Sequence, residues 1–453
     1  MKIVVVGGGI AGLAAAGKLE SLLPDAGLVL VERSERLGGK LLTEREDGYV
    51  VEGGADSFLS RKPRGVGLAE ELGLDLVGRR PENARSFVRS GTELHPLPEG
   101  LTGMIPTDLA ALERSALLSE EGRRRLAAEP EVPRAPAACD ESIASFVSRR
   151  LGREAYERLV EPLLTGIYGG DGDQLSLRAT FPNLRALELE HGSLLRGLTG
   201  TSPPEAAHPP FVSFRDGMGT LSGRIAESLQ RTRIVLGRAA VALTPGYEVA
   251  LDDGERFSAD GVVLAAPAFV VSELTAPLDP ELAGAHTKIP YASSAIVTLA
   301  FRGGDALDGY GYVVPRAQGS DALASTWSSS KWESRAPEGV VLVRVYLGRF
   351  GGRDLTADSD EELVARARAE LRLVGLDREP ERTWIHRWPR GMPQYVLGHL
   401  DRVERIDAAL ARHPGLALAG AAYRGVGIPD CIHSGEEAAR SLARSLAGAG
   451  ARR

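Results

Sequence analysis

Cysteine is almost missing from this 453-residue chain: Cys139 and Cys431 stand far apart and belong to no C-x-x-C. That spacing indicates neither a dithiol redox centre nor a zinc site. The eight histidines show no metal-ligand spacing, and H-E-x-x-H does not occur. No apolar run reaches the ~18 to 20 residues that a helix needs to cross a bilayer, which leaves only peripheral membrane contact open. Lysine is scarce, six among 54 basic residues, and the net charge of −7 comes with no basic stripe or tail, which argues against a nucleic-acid binder. Aromatics make up 5% of the chain, a poor supply for an aromatic cage around a cationic ligand. No catalytic triad or carboxylate pair is recognisable, and G-x-G-x-x-G occurs once.

What is present is concentrated in the first forty residues. Ile3 to Val6 form an apolar run suited to a buried parallel strand, and Gly7, Gly9 and Gly12 then give G-x-G-x-x-G at a strand-to-helix turn. One glycine allows the tight turn, one lets backbone approach a pyrophosphate, and one lets helix and strand pack closely. The helix that starts there aims unpaired amides and a positive dipole end at phosphate. Leu28 to Val31 read as the next strand, and Glu32 follows at its end, placed to hold ribose hydroxyls. A lone glycine motif is weak, but strand, turn, helix, strand and acid all fall in register here. Gly38-Gly39-Lys40 supplies a second glycine turn and a cation for the same pyrophosphate, which favours FAD over NAD. A secretory signal would not carry a phosphate-binding register in its apolar part, so a cytoplasmic protein is expected.

Hydrophobic content of 43% and charged content of 25% are those of a globular protein, and the length calls for two or three domains. Tyr49 to Gly54 read as a strand leading into Ala55-Asp56-Ser57, a turn suited to close approach of a planar ligand. Arg61, Lys62 and Arg64 follow, either a solvated face or an anchor for an acidic substrate. From about Asp108 to Glu190 the pattern is helical. Asp140 is expected to cap a helix whose stripe Ile143, Phe146, Val147 and Leu151 ends at Gly152, and Pro162 to kink the next one. Residues 129–136 and the proline-dense 201–210 read as loops that bracket this insertion. Ile234 to Leu243 read as one strand, residues 247–257 as a hairpin around Asp252-Asp253-Gly254, and Gly261 to Ala266 as a buried strand stopped by Pro267. The β-rich stretches Ala295–Phe301, Gly311–Val314 and Val340–Leu347 suit a sheet covering a ligand cavity. Leu416 to Ala419 form a last strand before Gly425, Gly427 and Pro429, an irregular turn into a terminal helix whose N-terminal end is placed to face a flavin. With one dinucleotide motif, a flavin would take electrons from an organic substrate and return them to dioxygen.

Six blocks now carry a resemblance: VVVGGGIAGLAAA (4–16), ERLGGK (35–40), EGGADSFLSRK (52–62), PLLTGIYGGDGDQLSLRATFP (162–182), RWPRGMPQYVLGH (387–399) and AYRGVGIPDCIHSG (422–435). Together they span nearly the whole chain, and the last three are the more specific. The chain resembles the FAD-dependent protoporphyrinogen/coproporphyrinogen oxidases of haem biosynthesis, within the amine-oxidase-like flavoproteins. Ala55 departs from the family, which more often has proline there. The resemblance implies an α/β protein with a discontinuous Rossmann-like FAD-binding domain (1–56, 208–285, 408–453), a mixed-sheet substrate domain (57–95, 286–407) and a helical insertion (96–207). It implies FAD contacts at Gly7, Gly8, Gly9, Ile10, Ala11, Gly12, Glu32, Arg33, Lys40, Gly54, Ala55, Asp56, Ser57, Val241, Trp388, Val426, Gly427 and Ile428. No catalytic residue is assigned, since flavin N5 does the chemistry. The expected reaction is oxidation of coproporphyrinogen III to coproporphyrin III by dioxygen, releasing hydrogen peroxide. Arg61, Lys62 and Arg64 would meet its propionates, and a ferrochelatase could receive the product. Protoporphyrinogen IX is the alternative substrate, and another amine-oxidase-like flavoenzyme a more distant alternative.

Overall fold

Valine and isoleucine alternate their faces along the first strand, Lys2–Val6, and that alternation sets two layers. Ile3 and Val5 join an apolar cluster on one side of the sheet, Val4 and Val6 a second cluster on the other. The strand lies at the centre of a five-stranded parallel sheet in the order Thr232–Val235, Gly27–Val31, Lys2–Val6, Gly261–Leu264, Leu416–Leu418. Helix Ile10–Leu22 and the terminal helix Ile428–Gly450 cover one face. They touch closely because Gly435 has no Cβ; one there would run into the carbonyl of Ala11. The other face carries the three-stranded sheet of 240–258 and helices Ala268–Thr275, Pro280–His286 and His399–Leu410.

A second, seven-stranded sheet runs in the order Arg382–Pro393, Tyr291–Arg302, Val340–Leu347, Ala322–Trp327, Gly311–Val313, Phe87–Ser90, Glu93–Pro96. It is mixed: Gly311–Val313 pairs in parallel with Phe87–Ser90, while the other pairings are antiparallel. Val341, Val343, Val345 and Leu347 turn to helix Asp360–Leu371 and form that sheet's core. Leu342, Arg344 and Tyr346 therefore face the opposite way. A bulge between Ala292 and Ser294 shifts the register on strand Arg382–Pro393 and sets Trp388 opposite Ser294.

This computed structural model describes residues 1–136, 140–199, 207–303 and 307–450, so Cys139 and the first six residues of the proline-rich stretch 201–210 lie outside the described residues. The α/β class, parallel sheet, mixed sheet and helical segment are as expected. Four local expectations are corrected, the last of them in the stretch 129–136. Residues 234–243 are two strands, Thr232–Val235 and Ala240–Thr244, because Gly237 turns the chain at φ +65°. Ser142 caps helix Ile143–Leu151, accepting from Ser145 N, whereas Asp140 accepts from Ser176 Oγ and from Gly398 N. Pro162 opens helix Glu161–Tyr168 directly after a π-helical turn at Tyr156–Val160. Among the described residues no helix is long and apolar enough to cross a membrane.

The stretch 129–136 begins with a single helical turn rather than a loop, and Glu129 on it is fully buried. Arg150, also fully buried, donates to Glu129 and to the carbonyls of Val132 and Gly192. Glu129 accepts in addition from Ser193 Oγ and the amides of Leu194 and Leu195, which ties three helical segments together. Removing one partner of a buried pair strands the other charge. Arg150→Ala is expected to lower the stability of this helical unit by about 3 to 5 kcal/mol. Urea unfolding followed by circular dichroism checks this. Arg150→Lys should rescue little, because an ammonium cannot reproduce the forked donors.

Candidate functional site

Three backbone turns meet at the carboxyl ends of the parallel strands. In the first, Gly7 holds φ +108°, and a Cβ there would stand 2.6 Å from the carbonyl oxygen of Ala265. A Cβ on Gly12 would enter the carbonyl of Gly7, so neither position accepts a side chain. Gly9 differs: a Cβ there meets nothing within 4 Å. The protein's own packing does not require glycine at that point, yet the backbone there is bare and caps helix Ile10–Leu22 with no side-chain hydrogen bond. That is the arrangement a close-approaching phosphate needs.

The second turn folds back on the first. Gly38 N donates to Gly8 O at 2.9 Å, and Gly39, at φ +57°, would place a Cβ 3.1 Å from Gly9 Cα. Arg36 fixes this turn by donating to the carbonyls of Leu37 and Gly39. Lys40 next to it is solvent-accessible but walled by protein on most sides, so desolvation lowers its pKa. Glu32 closes the strand end: Oε2 accepts from Gly8 N at 2.7 Å, and Oε1 from Ser34 N and Oγ. Arg33 is exposed beside it. Arg238 N donates to Glu32 O, which brings strand Ala240–Thr244, with Val241 exposed on it, to the same rim.

The third turn, Gly53 to Ser57, abuts the second, since a Cβ on Gly54 would strike the carbonyl of Lys40. The mixed sheet holds it from the far side. Trp388 Nε1 donates to Gly53 O at 2.7 Å, and the buried Arg344 donates to Gly54 O. Asp56 accepts from Lys331 Nζ at 2.7 Å and Trp332 Nε1 at 3.1 Å, with Arg344 Nη1 3.9 Å away. Burial alone would raise the Asp56 pKa, but the Lys331 and Arg344 cations hold its carboxyl well below the usual range. Arg344 Nε and Nη1 are buried without a hydrogen-bond partner, and Arg344 lies 5.0 Å over the ring of Tyr346. These orphaned donors, beside a turn reserved for close backbone approach, fit a site built to face a polar planar group.

A fourth segment, Val426 to Ile428, arrives from the opposite side. Val426 packs against the helical cluster, and Gly427 N donates to Asp430 Oδ2. The cations at 61–64 are less available than the sequence suggests. Lys62 Nζ lies 2.5 and 2.7 Å from the Asp430 carboxylate, and Arg64 pairs with Glu71 and Glu436; Arg61 is exposed. Sequence reasoning singled out neither Asp430 nor Lys331, Arg344 and Tyr346. A signal for the last two existed: Arg344 and Tyr346 alternate with valine in VVLVRVYL, so both face away from the sheet's apolar core.

A family model for flavin containing amine oxidoreductases matches residues 10–443. The chain is 36% identical to the coproporphyrinogen III oxidase of Bacillus subtilis (strain 168) over 460 residues, covering 96% of each chain. With that of Staphylococcus aureus (strain NCTC 8325 / PS 47) it shares 32% over 98% of this chain and 99% of the relative. A crystal structure from Exiguobacterium sp. 255-15, assigned to protoporphyrinogen oxidase, superposes with a TM-score of 0.88 at 36% identity, covering 98% of both chains.

Histidines near this site are buried neutral. Burial lowers the pKa of His399 to about 4, and it also lowers those of His286 and His386. Below about pH 6.5 the unfolded chain takes up protons that the folded chain refuses until about pH 4, so stability falls through that window as pH drops and is unaffected above it. His399 alone should make the protein about 2 kcal/mol less stable at pH 5 than at pH 7.5. Urea unfolding at the two pH values measures this, and an unchanged midpoint would contradict it.

Proposed function

The chain belongs to the family of flavin-containing amine oxidoreductases, and we propose that within it the chain oxidises coproporphyrinogen III to coproporphyrin III. It is an oxidoreductase that uses FAD. The observation that carries the substrate is that proteins named coproporphyrinogen III oxidase align with this chain from end to end, at 32 to 36% identity for the two given above. The cation cluster at 61–64 adds less than the sequence suggests, because Asp430, Glu71 and Glu436 already neutralise two of its three members. Protoporphyrinogen IX stays as the second reading, favoured by the assignment of the Exiguobacterium structure.

In this proposal Gly7, Gly8, Gly9, Ile10, Ala11 and Gly12, with Lys40, hold the pyrophosphate. Glu32 and Arg33 meet the ribose; Glu32 Oε2, which accepts from Gly8 N, keeps a lone pair for a hydroxyl, while Oε1 is already taken by Ser34 N and Oγ. The strand carrying Val241 meets the adenine. Gly54, Ala55, Asp56, Ser57, Trp388, Val426, Gly427 and Ile428 enclose the ring. FAD held there would supply the redox chemistry, a six-electron oxidation of one porphyrinogen with three dioxygen molecules as acceptor and three hydrogen peroxide molecules as co-product. The chain's own residues orient the substrate and exclude water. Trp388 and Arg344 hold the ring-facing turn from the mixed sheet, and Asp56 fixes that turn through Lys331 and Trp332. Work in the cytoplasm and hand-off of the product to a ferrochelatase complete the proposal. We take the FAD-binding domain as 1–56, 208–285 and 408–453, the substrate domain as 57–95 and 286–407, and the helical insertion as 96–207.

Anaerobic mixing of the FAD-loaded protein with coproporphyrinogen III should bleach the flavin rapidly, with higher kcat/KM than for protoporphyrinogen IX. Failure to bleach, or the reverse preference, overturns the substrate assignment.

Gly9→Val separates cofactor from fold. A Cβ there meets no protein atom within 4 Å, so the FAD-free protein should keep its stability within about 0.5 kcal/mol. FAD affinity should fall by at least about 100-fold, the equivalent of a clash of ~3 kcal/mol. Gly12→Ala should instead destabilise the FAD-free protein itself. Fluorescence titration with FAD and thermal melts of both variants check the pair.

A further inference from the structure

The loop that leaves the mixed sheet after strand Arg382–Pro393 is bound on three sides. Gln394 donates from its side chain to Tyr168 O at 2.8 Å and from its backbone to Pro290 O. Ser176 N donates to Tyr395 O, and Leu397 N to Gln174 O, which fastens the loop to the helical insertion. The third side is reached by two side chains. Tyr395, 1% exposed, donates its hydroxyl to Ala421 O at 2.6 Å and accepts from Gly425 N at 2.7 Å. His399, also 1% exposed, stacks on Tyr395 with centroids 3.9 Å apart and planes 14° from parallel. Its Nε2 meets Tyr423 O at 2.8 Å.

Three backbone groups of 421–425 thus rely on two side chains from a different part of the fold. The segment cannot supply those partners itself. It leaves strand Leu416–Leu418, passes Gly420 at φ +114° and Gly425 at φ +143°, and makes no regular ladder before helix Ile428–Gly450 begins. The Tyr423 carbonyl is buried and the Ala421 carbonyl and Gly425 amide are partly so, and polar groups left there without partners are costly, so the segment would rearrange rather than keep its path. Directly after Gly425 come Val426, Gly427 and Ile428.

We propose that Tyr395, backed by His399, is a positioning residue that fixes the turn Val426–Ile428 beside the flavin and couples it to the helical insertion. This rests on the flavin reading above. The hydroxyl is suited to the task because a phenol donates and accepts at once, and both of its bonds go to one short segment. The stack limits rotation of the ring, so the hydroxyl stays aimed at its two partners. Movement of the insertion at Gln174 or Ser176 would reach the turn through this loop.

Tyr395→Phe keeps the ring and its stack but removes both bonds. In hydrogen exchange, amides of 421–427 should exchange at least tenfold faster in the variant, with strand Gly261–Leu264 unchanged, both with FAD and without it. In anaerobic stopped flow, the limiting rate of flavin reduction by coproporphyrinogen III should fall at least tenfold while KM changes less than threefold, since orientation rather than binding is lost. Should Tyr395→Phe not fold, His399→Gln keeps a donor toward Tyr423 O and removes the stacked ring. The same two measurements then apply, with the same expected direction. Exchange in 421–427 within twofold of the unmodified protein, or an equal rise in strand Gly261–Leu264, overturns the proposal. A failed substrate assignment would show separately, as unmodified protein that coproporphyrinogen III does not bleach, and the exchange result would still decide the role of Tyr395.

Discussion

The structure depends on backbone approaching backbone where no side chain can fit. Gly12 against the Gly7 carbonyl, Gly39 against Gly9 Cα and Gly54 against the Lys40 carbonyl are successive contacts of one stack. Each brings a turn from a different segment to the carboxyl edge of the parallel sheet, as expected for ligands in open α/β folds. A Cβ at any of the three would push the next turn away and widen the cleft. Gly9 is the exception that gives the stack its purpose, since a Cβ there would meet no protein atom within 4 Å. The rest of the fold can be understood as what holds these turns in place.

That holding comes largely from the second sheet. Trp388 and Arg344 lie on separate strands, with strand Tyr291–Arg302 between them, and reach the consecutive carbonyls of Gly53 and Gly54. A single hydrogen bond of this kind contributes only about 1 kcal/mol, or somewhat more from a charged donor. Their value is geometric, because two donors on a rigid sheet fix two successive peptide planes. The bulge near Ser294 matters for the same reason, since it sets the register of the strand that carries Trp388. A one-residue slip would turn that indole to the other face.

Much of this was legible in the sequence, for reasons that differ by element. The first strand, turn and helix are local: Gly7 to Gly12 and the apolar run before them specify one conformation whatever lies elsewhere. Helix Ile143–Leu151 was equally clear from its stripe and from Gly152, but its cap was not, because Ser142 and Asp140 are both good caps and the choice fell to a tertiary bond from Ser176 to Asp140. The split at Gly237 was hidden by an otherwise continuous β-favouring run. The buried Arg150–Glu129 pair was out of reach, because its members lie 21 residues apart and charge in a helical segment normally signals a solvated face. Lys62 shows the converse limit: as a motif position it looked available, yet its partner Asp430 lies 368 residues away.

That last pairing bears on how the chemistry is shared between protein and cofactor. Ionisable groups around the turns are mostly engaged in structural bonds. Asp56 is held by Lys331 and Arg344, Asp430 by Lys62, and Glu52 accepts from Thr43 and from Met218 N. His386 contacts Glu44, and His399 contacts the Tyr423 carbonyl. A general acid or base works best with a pKa near the operating pH and with freedom to exchange its proton. Asp56 is held far below that range and His399 also lies below it, each with its partner already chosen. Such a site is built to keep its shape and its field constant while electrons move through a bound group. For a reaction that repeats the same two-electron step on one substrate, constancy of geometry is the more useful property.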